Sequence, residues 1–172
     1  LYNPKIFSLL SWHAVRVPSV EQGLRPTRDI LVASGSVEFG SNKEFKAMVN
    51  KIKGKDFDAV KHPADLQYIL DRVDVDNYFD YVIFESYFAN TDSGNIRYYK
   101  VPGGKWKWIL YDMDYALWDS SFNSPWSYTK EKGMGQKYID NTCFMTALKV
   151  PEYRDLFLKK LADMFKTFTP EF

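Results

Sequence analysis

Residues 75–118 read VDNYFDYVIFESYFANTDSGNIRYYKVPGGKWKWILYDMDYALW. An almost entirely apolar segment of helical length comes first, and the polar loop NTDSGN follows it. Two alternating segments joined by Pro102-Gly103-Gly104 then lead into Asp112-Met113-Asp114. Polar residues therefore gather at the ends of elements whose apolar character predicts burial, and we expect a functional site there.

Residues 75–89 are predicted to form a buried central helix, because apolar and aromatic residues surround it on most sides. Asp74 and Asp76 lie near its N-terminal end, where carboxylates are favoured. Its C-terminal end leads directly into Asn90-Thr91-Asp92. A loop held by a core helix is held rigidly, which suits a catalytic group.

Residues 96–101 and 105–111 are predicted to form a β-hairpin. Trp106, Trp108 and Leu110 alternate with lysines, and the Pro-Gly-Gly sequence fits a tight turn between the strands. A hairpin returns the chain to the place where it began. We therefore expect Asp92, Asn95 and Asp112 to share one small volume.

The flanking elements follow from periodicity and capping patterns. Ser41 and Glu44 form a predicted capping box for a helix that Gly54 ends, and further helices are expected from Pro63, over residues 142–149 and from Pro151. A short strand is predicted at residues 30–33, whereas residues 119–135 are predicted to be a long loop. Together these elements predict an α+β fold.

Composition and charge narrow the function classes. The chain has 172 residues, 45% hydrophobic and 17% aromatic, which indicates one globular domain. A net charge of +1 gives no electrostatic reason to expect nucleic acid or an anionic membrane as partner. A single cysteine, Cys143, excludes an internal disulfide. No apolar run of spanning length and no signal-peptide pattern occurs, so we expect no membrane span and no signal peptide in this chain.

The predicted cluster of carboxylates with an amide suits Mg²⁺ or Mn²⁺, which prefer oxygen ligands. A further carboxylate can accept the proton of an attacking hydroxyl group. A helix, a loop with Asp then Asn, a hairpin and a second Asp also follow one another in protein-kinase catalytic lobes. The sequence has neither His-Arg-Asp nor Asp-Phe-Gly, which excludes an ordinary protein kinase.

Four segments resemble the CotH (spore coat protein H) kinase family: the Asn90-Thr91-Asp92 loop, GNIR at residues 94–97, GGKWKWILYDMD at residues 103–114 and PEYR at residues 151–154. The resemblance covers approximately residues 41–172. Residues 1–40 remain poorly assigned. They are a candidate remnant of the N-terminal lobe that a kinase uses to bind the nucleotide. The implied fold is a mainly helical, kinase-like C-terminal lobe whose hairpin carries the metal-binding aspartate, in a chain dominated by that lobe.

The resemblance implies an atypical protein serine kinase that uses ATP with Mg²⁺ or Mn²⁺. It also implies that the substrates are proteins of the spore coat or cell surface. The protein itself would then lie on the spore coat, or be secreted or displayed at the cell surface. Asp92 resembles the catalytic aspartate, Asn95 a metal-ligating amide and Asp112 the metal-binding aspartate. Asp114 is the alternative or additional ligand, and Asp112 is favoured because it comes first after the strand.

Two alternatives stay open at this point. A catalytically inactive structural or adhesion module is suggested because no glycine-rich loop with a nucleotide-binding lysine is recognisable, and because only two residues separate Asp92 from Asn95. A carbohydrate-acting domain would use Asp92 and Asp112 as acid and base, with tryptophans stacking on sugars. Burial of Trp106 and Trp108 would exclude that second alternative.

Overall fold

The computed structural model describes residues 29–32, 36–91, 96–129 and 142–168. Within these ranges the fold is α+β, as predicted, with one four-stranded antiparallel sheet of order β2-β1-β3-β4. The strands are β1 (Asp29–Val32), β2 (Ser36–Phe39), β3 (Arg97–Lys100) and β4 (Lys107–Ile109). The helices are α1 (Lys43–Ile52), α2 (Pro63–Leu70), α3 (Val75–Tyr87), α4 (Ser124–Thr129), α5 (Thr142–Leu148) and α6 (Pro151–Thr167). None of the helices seen in these ranges is long and apolar enough to cross a membrane.

The predicted hairpin is confirmed, with shorter strands than the alternation indicated. Tyr98 of β3 lies opposite Trp108 of β4 in an antiparallel register. The Gly104 amide donates to the Val101 carbonyl at 2.9 Å, which closes the turn. Gly103 has φ of 71°, the left-handed conformation that the third position of a type II turn requires.

Helix α3 is the centre of the core, as its apolar surface predicted. On one side the Tyr78 ring lies 4.3 Å from the Trp108 ring of the sheet. On the neighbouring face the Phe79 ring lies 5.9 Å from Phe144 of α5 and 5.4 Å from Phe157 of α6. All five of these side chains are buried. The Tyr78 ring also lies 6.0 Å from Phe144, so the sheet and the C-terminal helices pack on adjacent faces of one helix.

The first turn of α3 is joined to the edge of the sheet. Asp74 caps the helix by accepting from the Asn77 amide at 3.1 Å. The Asn77 side chain then donates to the Trp108 carbonyl at 3.2 Å and accepts from the Trp108 amide at 2.7 Å, so it pairs with β4 as a neighbouring strand would. Burial opposes ionisation of Asp74, but the Asn77 amide and Lys107 outweigh it and lower the pKa of this carboxyl.

The predicted capping box at the start of α1 is wrong. Asn42 precedes the helix without a side-chain cap, and the Ser41 hydroxyl accepts from the Lys43 amide at 3.2 Å. The Ser41 amide, which Glu44 was expected to accept from, donates to Asp29 at 2.7 Å. Glu44 is paired with Lys100 of β3. Partners distant in the sequence therefore replace the local reciprocal pair.

Two further elements differ from the sequence-based expectation. Strand β2 was not predicted, and helix α4 lies inside the predicted loop at residues 119–135. The signal for α4 was present, because the Asn123 side chain accepts from the Trp126 amide at 3.1 Å and Pro125 occupies the first turn. Residue 33, the last of the predicted strand at residues 30–33, lies outside the described residues. The division at residue 40 stays a prediction.

Candidate functional site

The structure describes two of the four predicted site residues. Asp112 and Asp114 follow β4, and both are exposed to solvent. Asp92 and Asn95 lie outside the described residues. The roles assigned to all four residues stay predictions.

The C-terminal end of α3 is capped by residues 117–128, which follow the Asp-Met-Asp motif and include helix α4. The last carbonyl groups of a helix have no partner within the helix, so they need donors from elsewhere. One carbonyl of the last turn and two just beyond the helix accept hydrogen bonds from residues 117–128. The Ser86 carbonyl accepts from the Ser124 hydroxyl, the Phe88 carbonyl from the Leu117 amide at 2.8 Å, and the Asn90 carbonyl from the Tyr128 hydroxyl at 2.9 Å.

Asn90 joins this end of α3 to the Asp-Met-Asp motif. Its side chain is 1% exposed, and its Nδ2 donates to Met113 Sδ at 3.6 Å. Met113 lies between Asp112 and Asp114 in the sequence, and Asn90 lies two residues before Asp92. The residue that opens the predicted catalytic loop and the middle of the predicted metal-binding motif are therefore in contact.

Backbone strain is concentrated in the same region. Among the residues described, Ala89, Asp112 and Leu117 are the non-glycine residues with positive φ, at 47°, 55° and 59°. Side chains disfavour this left-handed conformation, and it persists only where the surrounding structure imposes it. Ala89 lies two residues beyond α3, Asp112 is the first residue of the Asp-Met-Asp motif, and Leu117 lies three residues after that motif, so the strain coincides with the candidate site.

Glu85 is a buried carboxylate in the last turn of α3, close to this site, and the sequence analysis missed it. Its side chain is 2% exposed and lies 3.3 Å from the Tyr128 hydroxyl. Tyr81 also forms a hydrogen bond with Glu85, and burial together with the Glu85 charge raises the pKa of Tyr81 well above its ordinary value. The Tyr81 phenol can therefore act as a neutral donor. Glu85 is the single charged side chain in YVIFESYFAN (residues 81–90), which was the available signal.

The donor chemistry of Asp112 and Asp114 fits a hard divalent cation. Mg²⁺ in phosphate-transfer sites takes one or two carboxylates and completes its shell with waters and phosphate oxygens, which exposed side chains allow. In the described ranges no group of three or more His, Cys, Asp or Glu side chains could hold a metal ion. A closed structural zinc centre, which needs four such ligands, therefore does not fit these residues.

The two hairpin tryptophans do not support the carbohydrate-acting alternative, although Trp118 and Trp126 are 75% and 62% exposed. Trp106 is 1% exposed and Trp108 is 4% exposed, so neither ring can stack on a sugar. Arg97 is the first residue of β3. It is paired with Glu38, and its guanidinium lies over the Tyr111 ring at 4.2 Å.

The α+β fold and the order of its elements along the chain, a buried helix, then a hairpin and an Asp-Met-Asp motif, are consistent with a kinase-like protein. The family model described as CotH kinase protein matches residues 34–172, and the chain therefore belongs to the CotH kinase protein family. The match includes α3, the hairpin and both described aspartates. No curated protein and no solved structure shows significant similarity to the chain.

Proposed function

We propose that this chain is an atypical protein kinase of the CotH type, which transfers the γ-phosphate of ATP to serine side chains. The observation that carries the proposal is the family match over residues 34–172, together with the docking of the Asp-Met-Asp motif on the end of α3. That docking brings the motif to Asn90, two residues before the proposed base Asp92. Spore coat or secreted surface proteins are the proposed substrates, and the spore coat or cell surface is the proposed location.

In the proposed reaction, Asp92 accepts the proton of the substrate serine hydroxyl. The serine oxygen forms a bond to the γ-phosphorus, and the bond to the β-γ bridging oxygen breaks, which releases ADP. Asp112 and Asn95, with Asp114 as the additional ligand, would hold Mg²⁺ or Mn²⁺. A bound divalent cation would supply neutralisation of charge on the phosphate oxygens.

Nucleotide binding is tested by thermal unfolding of the full chain with ATP and Mn²⁺ or Mg²⁺. Ligand at 100 times its Kd stabilises a protein by about 2.7 kcal/mol, and this raises the Tm of a chain of this size by roughly 5–10 °C. We expect that rise with ATP and metal together, and a smaller one with metal alone. Asp112→Asn is expected to lose most of the difference between the two conditions.

The matched control is Asp119→Asn, which makes the same chemical change at an exposed aspartate seven residues farther along the chain. Asp119 accepts from the Ser121 amide at 2.9 Å, a bond that an asparagine oxygen can also accept. This variant should keep the full response to ATP and metal. If the unsubstituted chain shows no response, the result contradicts the kinase proposal and favours the inactive structural or adhesion module.

A further inference from the structure

Tyr128 lies at the buried centre of the contacts between α4 and the end of α3. It is 1% exposed, and its hydroxyl lies 2.9 Å from the Asn90 carbonyl oxygen and 3.3 Å from Glu85 Oε2. We propose that Tyr128 is a positioning residue for phosphate transfer, because its hydroxyl fixes the backbone of Asn90 two residues before Asp92. This inference rests on the proposed function, in which Asp92 is the base.

Asn90 is held from three directions. Its backbone amide donates to the Glu85 carbonyl at 3.2 Å, its side chain donates to Met113 Sδ at 3.6 Å, and its carbonyl accepts from Tyr128. The residue thus connects α3, the Asp-Met-Asp motif and α4. Because a buried backbone carbonyl loses free energy when a donor is removed, loss of the Tyr128 hydroxyl is expected to loosen the backbone at Asn90.

Glu85 fixes the position of the Tyr128 hydroxyl. The hydroxyl oxygen lies within hydrogen-bond distance of two acceptors, the Asn90 carbonyl at 2.9 Å and the Glu85 carboxylate at 3.3 Å, which is the arrangement of a three-centre hydrogen bond. A carboxylate that is 2% exposed needs donors, and Tyr81 supplies a second one. The Tyr81–Glu85–Tyr128 network therefore gives the Asn90 carbonyl a donor with a fixed direction rather than a rotating surface hydroxyl.

The test compares Tyr128→Phe with Tyr87→Phe in the full chain. Both substitutions remove a tyrosine hydroxyl that donates to a backbone carbonyl, since Tyr87 donates to Phe168 at the end of α6. Tyr87→Phe is expected to lower Tm by about 2–4 °C, and Tyr128→Phe by more, because it also removes a donor from the buried Glu85 carboxylate. Only Tyr128→Phe is expected to lower kcat, by on the order of 10-fold, with KM for ATP unchanged, because a misplaced base slows transfer without weakening nucleotide binding.

Amide hydrogen exchange supplies a readout that does not depend on activity. Exchange of the Asn90 amide is expected to be faster in Tyr128→Phe than in Tyr87→Phe. Equal kcat values for the two variants, or equal Asn90 exchange, would overturn the positioning role while leaving the kinase proposal intact. If the unsubstituted chain transfers no phosphate, the proposed function fails, and the positioning role fails with it.

Discussion

Asp112→Asn is expected to lower the rate of metal-dependent phosphate transfer by about 100- to 1000-fold, the range found when one strong electrostatic contact to the transition state is removed. Asparagine keeps the shape of the side chain and loses its charge. It also tolerates the left-handed backbone at this position, where φ is 55°, better than most residues do. The substitution should therefore leave the fold intact, and the rate of transfer should be the quantity that changes.

Asp114→Asn, measured beside it, decides which aspartate is the principal ligand. The rate of phosphate transfer is measured for both variants over a range of Mn²⁺ concentrations. The variant that removes the principal ligand should also need more metal to reach half of its maximal rate. The assignment of this motif to the metal site would be lost if both variants kept the unsubstituted rate at every metal concentration.

Trp106→Ala is expected to lower the free energy of unfolding by about 3–5 kcal/mol, which is a large part of the 5–15 kcal/mol that stabilises a typical domain. The ring is 1% exposed and lies 5.1 Å from the Phe45 ring of α1. The backbone of Trp106 also bonds to the connection between α2 and α3, at the Arg72 carbonyl and the Asp74 amide. Removal of the ring leaves a cavity between α1 and the sheet.

Urea unfolding measures this effect against Trp118→Ala, which removes the same side chain where it is 75% exposed and should change stability by less than about 0.5 kcal/mol. Trp106→Phe provides an intermediate if the alanine variant does not fold. Equal effects at the two tryptophans would contradict the location of Trp106 in the core.

The sequence predicts those elements that rest on local patterns. Helix α3 has an apolar surface on most sides, and the hairpin has period-two alternation around a turn that demands glycine, so both are recognisable from adjacent residues. Helix α4 had local signals too, Asn123 and Pro125, but the surrounding serine and asparagine residues favoured a loop. Strand β2 (SVEF) alternates polar and apolar residues, but it is only four residues long and entirely exposed, so the pattern is too short to mark a strand.

Features that depend on distant partners could not be predicted. Glu44 pairs with Lys100, which lies 56 residues away, so the local capping box did not form. Tyr128 reaches Glu85 across 43 residues, and no sequence pattern marks that pair. The hypothesis of a phosphate-transfer site came from the sequence, because Asp92, Asn95 and Asp112 follow one another in the order found in kinase catalytic lobes. The capping of α3 by residues 117–128 and the strain at Asp112 needed coordinates.

Transfer of labelled γ-phosphate from ATP by the full chain, compared with Asp92→Ala, tests the central claim most directly. We expect metal-dependent appearance of phosphoserine with the unsubstituted chain and its loss in Asp92→Ala, because removal of the base leaves the serine proton without an acceptor. Circular dichroism of both proteins confirms that the variant is folded. Equal incorporation by Asp92→Ala, or no incorporation by the unsubstituted chain, would contradict the account.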